Sequence, residues 1–300
     1  MADSRARACD CPAPIQEHKL FVAADACNKR KGDLVNSWNR VFGALLVLGL
    51  ALPGCATTGP GGKKSVILIG ESEERDIGAK MAAQVRAEKR IYADRVVTDY
   101  VNRTGQHIAR LSDRPDIPYQ FMVIEDKTLN AFAVPGGYVY VHTGLLRELD
   151  SQAQLAGVLA HEISHIVARH SVKLLQEGLG LQILTSLVFG GASQATQTAV
   201  GLGLALIMRG YSRGAEEEAD SYGTIYMARA GFNPEGMAQV MDKLAASSGG
   251  GDGFWENLAS DHPPAAKRAA AVRAEIKSKG LDAGLPFDPE PYRTVKSRVR

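Results

Sequence analysis

The sequence has few cysteines, no apolar run long enough to cross a membrane and, over most of its length, no net charge. Only four of its 300 residues are cysteine and none follows Cys55, which excludes a disulfide-stabilised fold for residues 56–300. Residues 55–300 carry 28 basic and 28 acidic side chains, and this balance argues against nucleic-acid binding. The composition, 45% apolar and 23% charged, is that of an ordinary globular protein.

An uncharged apolar stretch near the N-terminus indicates export from the cytoplasm. Val41–Leu52 has 12 residues, follows Arg40 directly and is shorter than the roughly 20 residues of a membrane-spanning helix. It ends at Leu52-Pro53-Gly54-Cys55, a small residue before a cysteine, which resembles the processing site of a bacterial lipoprotein. We therefore interpret residues 1–54 as a leader, residues 1–33 as an extension upstream of the true start, and Cys55 as the lipidated residue.

The remainder of the chain is predicted to form one mainly helical α+β domain. Residues 55–70 are rich in glycine and proline and are predicted to be a flexible tether that keeps the domain near the membrane. The domain is predicted to span residues 71–280, and residues 281–300 are predicted to be a weakly ordered tail. Apolar periodicity predicts helices at 71–89 and 95–111, strands at 119–124 and 138–141, and mostly helix thereafter.

One predicted strand is a candidate binding surface for an extended chain segment. The segment Asn130-Ala-Phe-Ala-Val-Pro-Gly136-Gly137 precedes Tyr138-Val-Tyr-Val141, which we interpret as an edge strand. Its predicted substrate-binding residues are Asn130, Gly136, Gly137 and Tyr138. The alternative is an ordinary structural strand.

Residues 178–208 contain no charged side chain. Glycine and polar residues interrupt the middle, which leaves two apolar pieces of about 10 residues, each too short to cross a bilayer. We predict a pair of helices packed in the protein core, in preference to helices that touch a membrane surface.

His161-Glu162-Ile163-Ser164-His165 is an HExxH motif. Residues four apart on a helix lie one above the other, so both imidazoles face one point, where zinc accepts neutral nitrogen ligands. Glu162 can then reach an attacking water as general base.

The sequence around the motif predicts the helix that it requires. Asp150 or Ser151 is a candidate N-cap, and Ser151 with Gln154 has the pattern of a capping box. An apolar stripe follows at helical spacing: Leu155, Val158, Leu159, Ile163, Ile166 and Val167.

A third metal ligand must come from elsewhere in the chain. On a continuous helix His170 would face away from His161, so we interpret it as a packing or capping residue. Glu216 and Asp220, four apart in Ser-Arg-Gly-Ala-Glu-Glu-Glu-Ala-Asp, are better candidates, the first as ligand and the second as the acceptor that orients a ligand histidine. Periodicity alone leaves Glu217 nearly as good, and the three glutamates could also be a solvated helix start.

Four motifs in order resemble the HtpX/BepA-like zinc metallopeptidases, a gluzincin family that includes the CaaX prenyl proteases. They are HExxH, SRxxExxAD, the upstream NAFAVPGG and the downstream Asp261-His262-Pro263, and the similarity covers residues 71–279. The resemblance implies a zincin-like domain with a small sheet beside the active-site helix, one Zn²⁺ per chain, Glu216 as third ligand and Asp220 behind a ligand histidine. The short length and missing membrane spans resemble the lipid-anchored members.

The resemblance also implies a role for a His-Pro segment near the C-terminus. It places His262 near the metal, where it either caps the ion or helps to stabilise an oxyanion. Arg268, six residues later, is the other candidate for oxyanion stabilisation. The alternative for His262 is a helix-entry residue before Pro263.

The predicted protein is a zinc-dependent endopeptidase of the bacterial cell envelope that cleaves unfolded or misassembled proteins. Its predicted partners are protein or peptide substrates and the membrane to which its lipid is anchored. Ala56 after the cysteine favours the outer membrane, with the domain facing the periplasm. The alternative function is a non-catalytic envelope lipoprotein that acts as a chaperone or assembly factor.

Overall fold

A computed structural model of the chain describes residues 56–58, 64–247, 265–281, 284–288 and 290–299. The predictions for the leader, for Cys55 and for His262 lie outside the described residues.

The helices are α1 Glu71–Glu88, α2 Arg95–Ala109, α3 Thr143–Glu148, α4 Gln152–Val167, α5 His170–Gly178, α6 Leu181–Phe189, α7 Gln194–Ile207, α8 Arg213–Arg229, α9 Glu235–Ser247, α10 Ala265–Lys279 and α11 Arg293–Lys296. The strands are β1 Ala56–Thr58, β2 Lys64–Val66, β3 Gln120–Ile124, β4 Ala131–Val134 and β5 Tyr138–His142. The α+β prediction is confirmed.

The three-stranded sheet has the order β3–β5–β4, with β3 parallel and β4 antiparallel to β5. The prediction that the strand from Tyr138 is an edge strand is wrong, because β5 is paired on both sides. The outer strand beside α4 is β4, which sequence reasoning missed. Its four residues are buried on both faces, so it lacks the alternation that marks a half-exposed strand.

The core lies on both faces of this sheet. Alternate residues point to opposite sides, so Val139 and Val141 join one apolar cluster while Tyr140 joins the other. The first cluster is completed by residues of α2, α4, α8 and α9, and the second by residues of α1, α5, α6 and α7. Two helical layers therefore enclose the strands.

Helix α4 is the central element, and all 16 of its residues are buried. Of the two candidate caps, Ser151 is the N-cap, and its Oγ accepts a hydrogen bond from the Gln154 amide. The Gln154 side chain reaches one residue further back than a capping box requires and accepts from the Asp150 amide at 2.9 Å. The predicted apolar stripe is buried, and so is the opposite face that carries the histidines.

The segment predicted to be a weakly ordered tail packs against the domain. Tyr292 and Val295 are fully buried, and the Tyr292 hydroxyl donates to the Leu146 carbonyl at 2.7 Å. Asp288 accepts from the Gln152 amide, which satisfies a donor in the first turn of α4. Sequence reasoning failed here because these contacts join residues more than 130 positions apart.

The glycine- and proline-rich segment before the domain includes a short strand pair. β1 and β2 are antiparallel, and Ala56 is the partner of Val66 in the register. The prediction of a fully flexible tether over residues 55–70 is therefore wrong for the described part. Among the described residues, no helix has the length and apolarity that crossing a membrane would require.

Candidate metal centre

Three buried side chains from two helices converge on one point. His161 and His165 lie one turn apart on α4, and Glu216 lies in the first turn of α8. The two Nε2 atoms are 3.0 Å apart, and the Glu216 carboxylate oxygens lie 3.5 Å from His161 Nε2 and 3.4 Å from His165 Nε2. All three are less than a tenth exposed. Among the described residues they form the group of His, Cys, Asp and Glu that could hold a metal ion.

The spacing of these ligand atoms fits a small tetrahedral cation. Ligands about 2.05 Å from a tetrahedral ion lie about 3.3 Å from one another, close to the three separations above. Three carboxylates line the site, those of Glu162, Glu216 and Asp220, and the Arg268 guanidinium opposes them with one positive charge. The negative excess of two matches the charge of a divalent ion.

Asp220 orients the first histidine. Its Oδ1 lies 2.9 Å from His161 Nδ1, which places the ring proton on Nδ1 and leaves Nε2 as the ligand atom. Burial alone would lower the pKa of His161, but hydrogen bonds to Asp220 and Glu216 raise it to about 10. These carboxylates favour positive charge beside His161, as a cation site requires.

Arg268 holds the carboxylates of α8. Its Nε and Nη2 donate to the two Asp220 oxygens, each at 2.6 Å, and Nη1 lies 2.7 Å from Glu216 Oε2. Burial raises the pKa of Asp220, but the hydrogen bonds from Arg268 and His161 outweigh it and lower the pKa. All three guanidinium nitrogens therefore engage carboxylates, so Arg268 fixes Glu216 and Asp220, and its oxyanion role stays a prediction.

A glycine allows α8 to approach α4 closely enough for this geometry. A Cβ at Gly223 would lie 3.2 Å from both Ala160 C and His161 N, tighter than ordinary van der Waals contact. The helix phase set by this contact buries Glu216 and leaves Glu217 exposed. The choice between the two glutamates, which periodicity left open, is thus made by helix packing.

His170 contacts the far side of the second histidine, a contact that sequence reasoning missed. The helix ends after α4, and Arg169 adopts a left-handed backbone with φ of 56°, which turns His170 back towards α4. His170 Nδ1 lies 2.8 Å from His165 Nδ1. Burial lowers the pKa of His170, which keeps it neutral. Because Nε2 of His165 faces the ligand cluster, its proton is on Nδ1 and is donated to His170 Nδ1. His170 thus orients His165 as Asp220 orients His161.

The strained residue at this break is held by an ion pair with α1. A left-handed backbone at a residue other than glycine costs about 1 kcal/mol or more. Arg169 Nε lies 2.8 Å from Glu74 Oε2, and Nη2 donates to the Ile69 carbonyl at 2.6 Å. Arg169 and Glu74 are both buried. The break therefore depends on residues about 100 positions earlier in the chain.

Glu162 lies between two grooves beside the clustered ligands. One groove is apolar and includes Val158, Met237 and Met241 of α4 and α9. The other is bounded by Phe132 of β4 and by Tyr211, whose ring stacks on His165 at a centroid distance of 4.1 Å. The Glu162 carboxylate therefore lies where two small grooves meet.

The predicted substrate-binding residues are not all near this site. Gly136 and Gly137 have positive φ and form the turn between β4 and β5, where Gly136 packs against α1. Asn130 is buried, and its carbonyl accepts from the His142 amide at 2.9 Å. Tyr138 begins the central strand. For an extended substrate, the structure instead offers β4, which borders both grooves through Ala131.

Comparisons with known proteins find several relatives that are named as proteases. The "Beta-barrel assembly-enhancing protease" of Yersinia pestis is 31% identical over 186 residues, which cover 59% of this chain and 38% of that protein. The "Mitochondrial metalloendopeptidase OMA1" of Schizosaccharomyces pombe is 33% identical over 205 residues, which cover 64% of this chain and 60% of that protein. "Metalloprotease LoiP" of Escherichia coli is 29% identical over 168 residues, which cover 55% of this chain and 65% of that protein. The chain thus spans less than two thirds of each of these relatives.

Residues 96–276 match the sequence model of Peptidase family M48. The matched segment contains His161, His165 and Glu216, and it covers more than half of the chain. The predicted resemblance to HtpX/BepA-like metallopeptidases is confirmed, and the chain belongs to peptidase family M48.

Proposed function

We propose that the protein is a zinc-dependent endopeptidase of the bacterial cell envelope. The observation that carries the proposal is the convergence of His161, His165 and Glu216 at tetrahedral spacing, with the Glu162 carboxylate beside them. Two imidazoles and one carboxylate suit Zn²⁺ better than Mg²⁺ or Ca²⁺, which prefer oxygen ligands. Three protein ligands leave the fourth position for water or substrate, as in catalytic zinc sites.

The chain's own residues supply the proton transfers. A zinc ion at this site would lower the pKa of a water molecule and polarise the scissile carbonyl. Glu162 accepts a proton from the attacking water and delivers it to the leaving amine. Asp220, Arg268 and His170 keep the three ligands in place, so little reorganisation is needed during the reaction.

The grooves beside Glu162 favour unfolded or looped protein segments as substrates. An extended chain can pair its backbone with β4, which replaces β5 as the proposed substrate strand. The apolar groove lined by Val158, Met237 and Met241 accepts one apolar side chain. A substrate must be locally unfolded to lie in this way, which agrees with a role on misassembled proteins.

The metal and Glu162 are tested together on the purified full chain. Metal analysis should find about one zinc per chain, and casein cleavage should stop with a chelator and return with Zn²⁺ but not Mg²⁺. Glu162→Gln should keep the metal and lose at least about a hundredfold in activity. Glu217→Gln, an exposed glutamate of α8, is the matched control and should cleave normally. A metal-free chain, or full activity in Glu162→Gln, would favour the non-catalytic alternative.

The remaining parts of the proposal concern residues outside those described. Lipidation of Cys55 predicts a mature N-terminus at that residue with an added lipid mass, and mass spectrometry of the native protein measures it. Peptides from residues 1–33 in cells would contradict the proposed start. A role for His262 at the site predicts changed kinetics in His262→Ala, whereas unchanged kinetics would remove it.

A further inference from the structure

The hairpin formed by α6 and α7 is uncharged, and its exposed side carries large apolar residues together with uncharged polar ones such as Gln182 and Thr185. No charged residue occurs from Gly178 to Met208. On the inner side Leu187, Val200 and Ile207 are buried in the core cluster shared with α1. On the outer side Leu181 is 81% and Phe189 79% exposed. The predicted core packing therefore accounts for only half of the hairpin.

The end of α6 is hydrogen-bonded to α1. The ammonium group of Lys80 on α1 donates to the Leu187 carbonyl at 2.9 Å and to the Val188 carbonyl at 3.3 Å. These are carbonyls of the last turn of α6, where a cation is favourable. These hydrogen bonds connect the end of α6, where Phe189 lies, to α1. Large apolar side chains that are about four fifths exposed are candidates for contact with a partner.

The chain enters the domain next to α5, the helix that directly precedes the hairpin. Ile67 belongs to the same core cluster as Leu187, and Leu68, 73% exposed, donates its amide to the Gln176 side chain of α5. Leu181, Phe189 and Leu68 are the three most exposed large apolar side chains among the described residues. All three thus belong to the N-terminal entry or to the hairpin.

The strand pair connects the residue that follows the proposed lipid anchor to the residues just before Leu68. Ala56 pairs with Val66, and paired residues in an antiparallel ladder lie about 5 Å apart. Cys55 is the next residue in the sequence before Ala56, and the apolar stretch Val41–Leu52 ends three residues earlier. Leu68 lies two residues after Val66, the partner of Ala56 in the strand pair.

The geometry points to a lipid bilayer as the partner of this surface, which consists of α6, α7 and Leu68. Helices of 9 and 14 residues are too short to span, but they can lie in the interface with an apolar face inserted. Because the hairpin has no charged side chain, its insertion into the interface removes no ionic group from water. A second copy of the chain or a protein partner could also cover an apolar face, but neither accounts for the adjacent anchor position.

Contact with the bilayer would bring the active site close to it. Ile207 and Met208 at the end of α7 line the groove that contains Glu162. The proposed substrates would then be proteins at the membrane surface. This consequence rests on the proposed peptidase function, whereas the surface itself does not.

Fluorescence of the full chain on vesicles tests the surface directly. Single cysteines are introduced as Leu181→Cys, Phe189→Cys or Leu111→Cys into a chain carrying Cys9→Ser, Cys11→Ser and Cys27→Ser, and are labelled with a polarity-sensitive dye. Leu111 is the matched control, because it is 38% exposed and lies outside the hairpin. The parent without an introduced cysteine measures any label on Cys55. The vesicles are phosphatidylcholine with and without nitroxide-labelled lipid.

We expect blue-shifted, nitroxide-quenched emission at positions 181 and 189 and water-like emission at position 111, with no dependence on salt. Water-like emission at all three positions on vesicles would overturn the inference, as would equal quenching at position 111. Blue-shifted emission at positions 181 and 189 before vesicles are added would also overturn the inference, because the labels would already be shielded from water. If this blue shift grows with protein concentration, the partner is a second copy. If it does not, the chain covers its own hairpin.

A charge variant provides the second measurement. Phe189→Asp should reduce quenching of the label at position 181 about tenfold, because a charge in the interface opposes insertion. Leu111→Asp should leave that quenching unchanged, and casein cleavage should be normal in both. A normal quenching signal in Phe189→Asp would overturn the inference while leaving the proposed peptidase function intact.

Discussion

Helix α4 and the α6–α7 hairpin have similar compositions, but α4 is buried on all sides and the hairpin is partly exposed. Both are rich in alanine, leucine, valine and glycine with few charges, and both could be taken for core helices. α4 is enclosed on every side, so its polar residues must be paired within the protein. The hairpin is enclosed on one side only, and we propose a bilayer as the partner of its outer apolar residues. Apolarity therefore predicts that a helix will be covered, but not what covers it.

The largest expected difference between the two regions is in the free energy of unfolding that is lost when a leucine is replaced by alanine. Leu159 on α4 is fully buried, whereas Leu202 on α7 is 44% exposed. Leu159→Ala should lower the free energy of unfolding by about 2–5 kcal/mol, because it leaves a cavity. Leu202→Ala should lower it by less than about 1 kcal/mol in solution. Denaturant titration measures both, and similar losses would show that the outer side of the hairpin is packed after all.

The pH dependence of stability should also separate the two regions, because the hairpin has no ionisable group. His142, at the end of β5, is buried, and burial lowers its pKa to about 4 despite the nearby Asp126. Between pH 6.5 and 4 the unfolded chain binds a proton at His142 that the folded chain does not, so stability falls as the pH falls. The loss approaches about 3 kcal/mol for such a shift.

His142→Asn isolates this contribution. The variant keeps an acceptor near the Thr128 hydroxyl, which lies 2.7 Å from His142 Nδ1, and removes the titration. Unfolding free energies at pH 7 and pH 4 should differ by about 3 kcal/mol less in the variant than in the parent. If the unfolding free energies of the parent and the variant changed equally with pH, His142 would not be the source of the acid sensitivity. Quenching of the hairpin labels should be the same for both chains at pH 7.

The smallest expected effect concerns the contact at the helix break after α4. His170→Ala should weaken zinc binding about 10- to 100-fold, because the His165 ring loses the acceptor that orients it. His170→Asn, which retains a hydrogen-bonding group, should recover part of that affinity. Chelator competition measures the affinity without relying on activity, and the hairpin labels should be unaffected. Unchanged zinc affinity in His170→Ala would show that the contact only fills space.

The sequence by itself determined the features that depend on nearby residues. The i, i+4 geometry of a helix brings His161 and His165 together wherever the helix forms, and Ser151 caps that helix from one residue before its start. The spacing of Glu216 and Asp220 on α8 follows from the same repeat.

Only the tertiary structure decided the features that depend on distant residues. The phase of α8 against α4 selected Glu216 over Glu217, and the ion pair between Glu74 and Arg169 turned His170 towards His165. Strand order made β4 rather than β5 the outer strand, and contacts more than 130 residues apart placed the C-terminal segment on the domain. These outcomes come from long-range packing energies, which a local pattern of residue types does not contain.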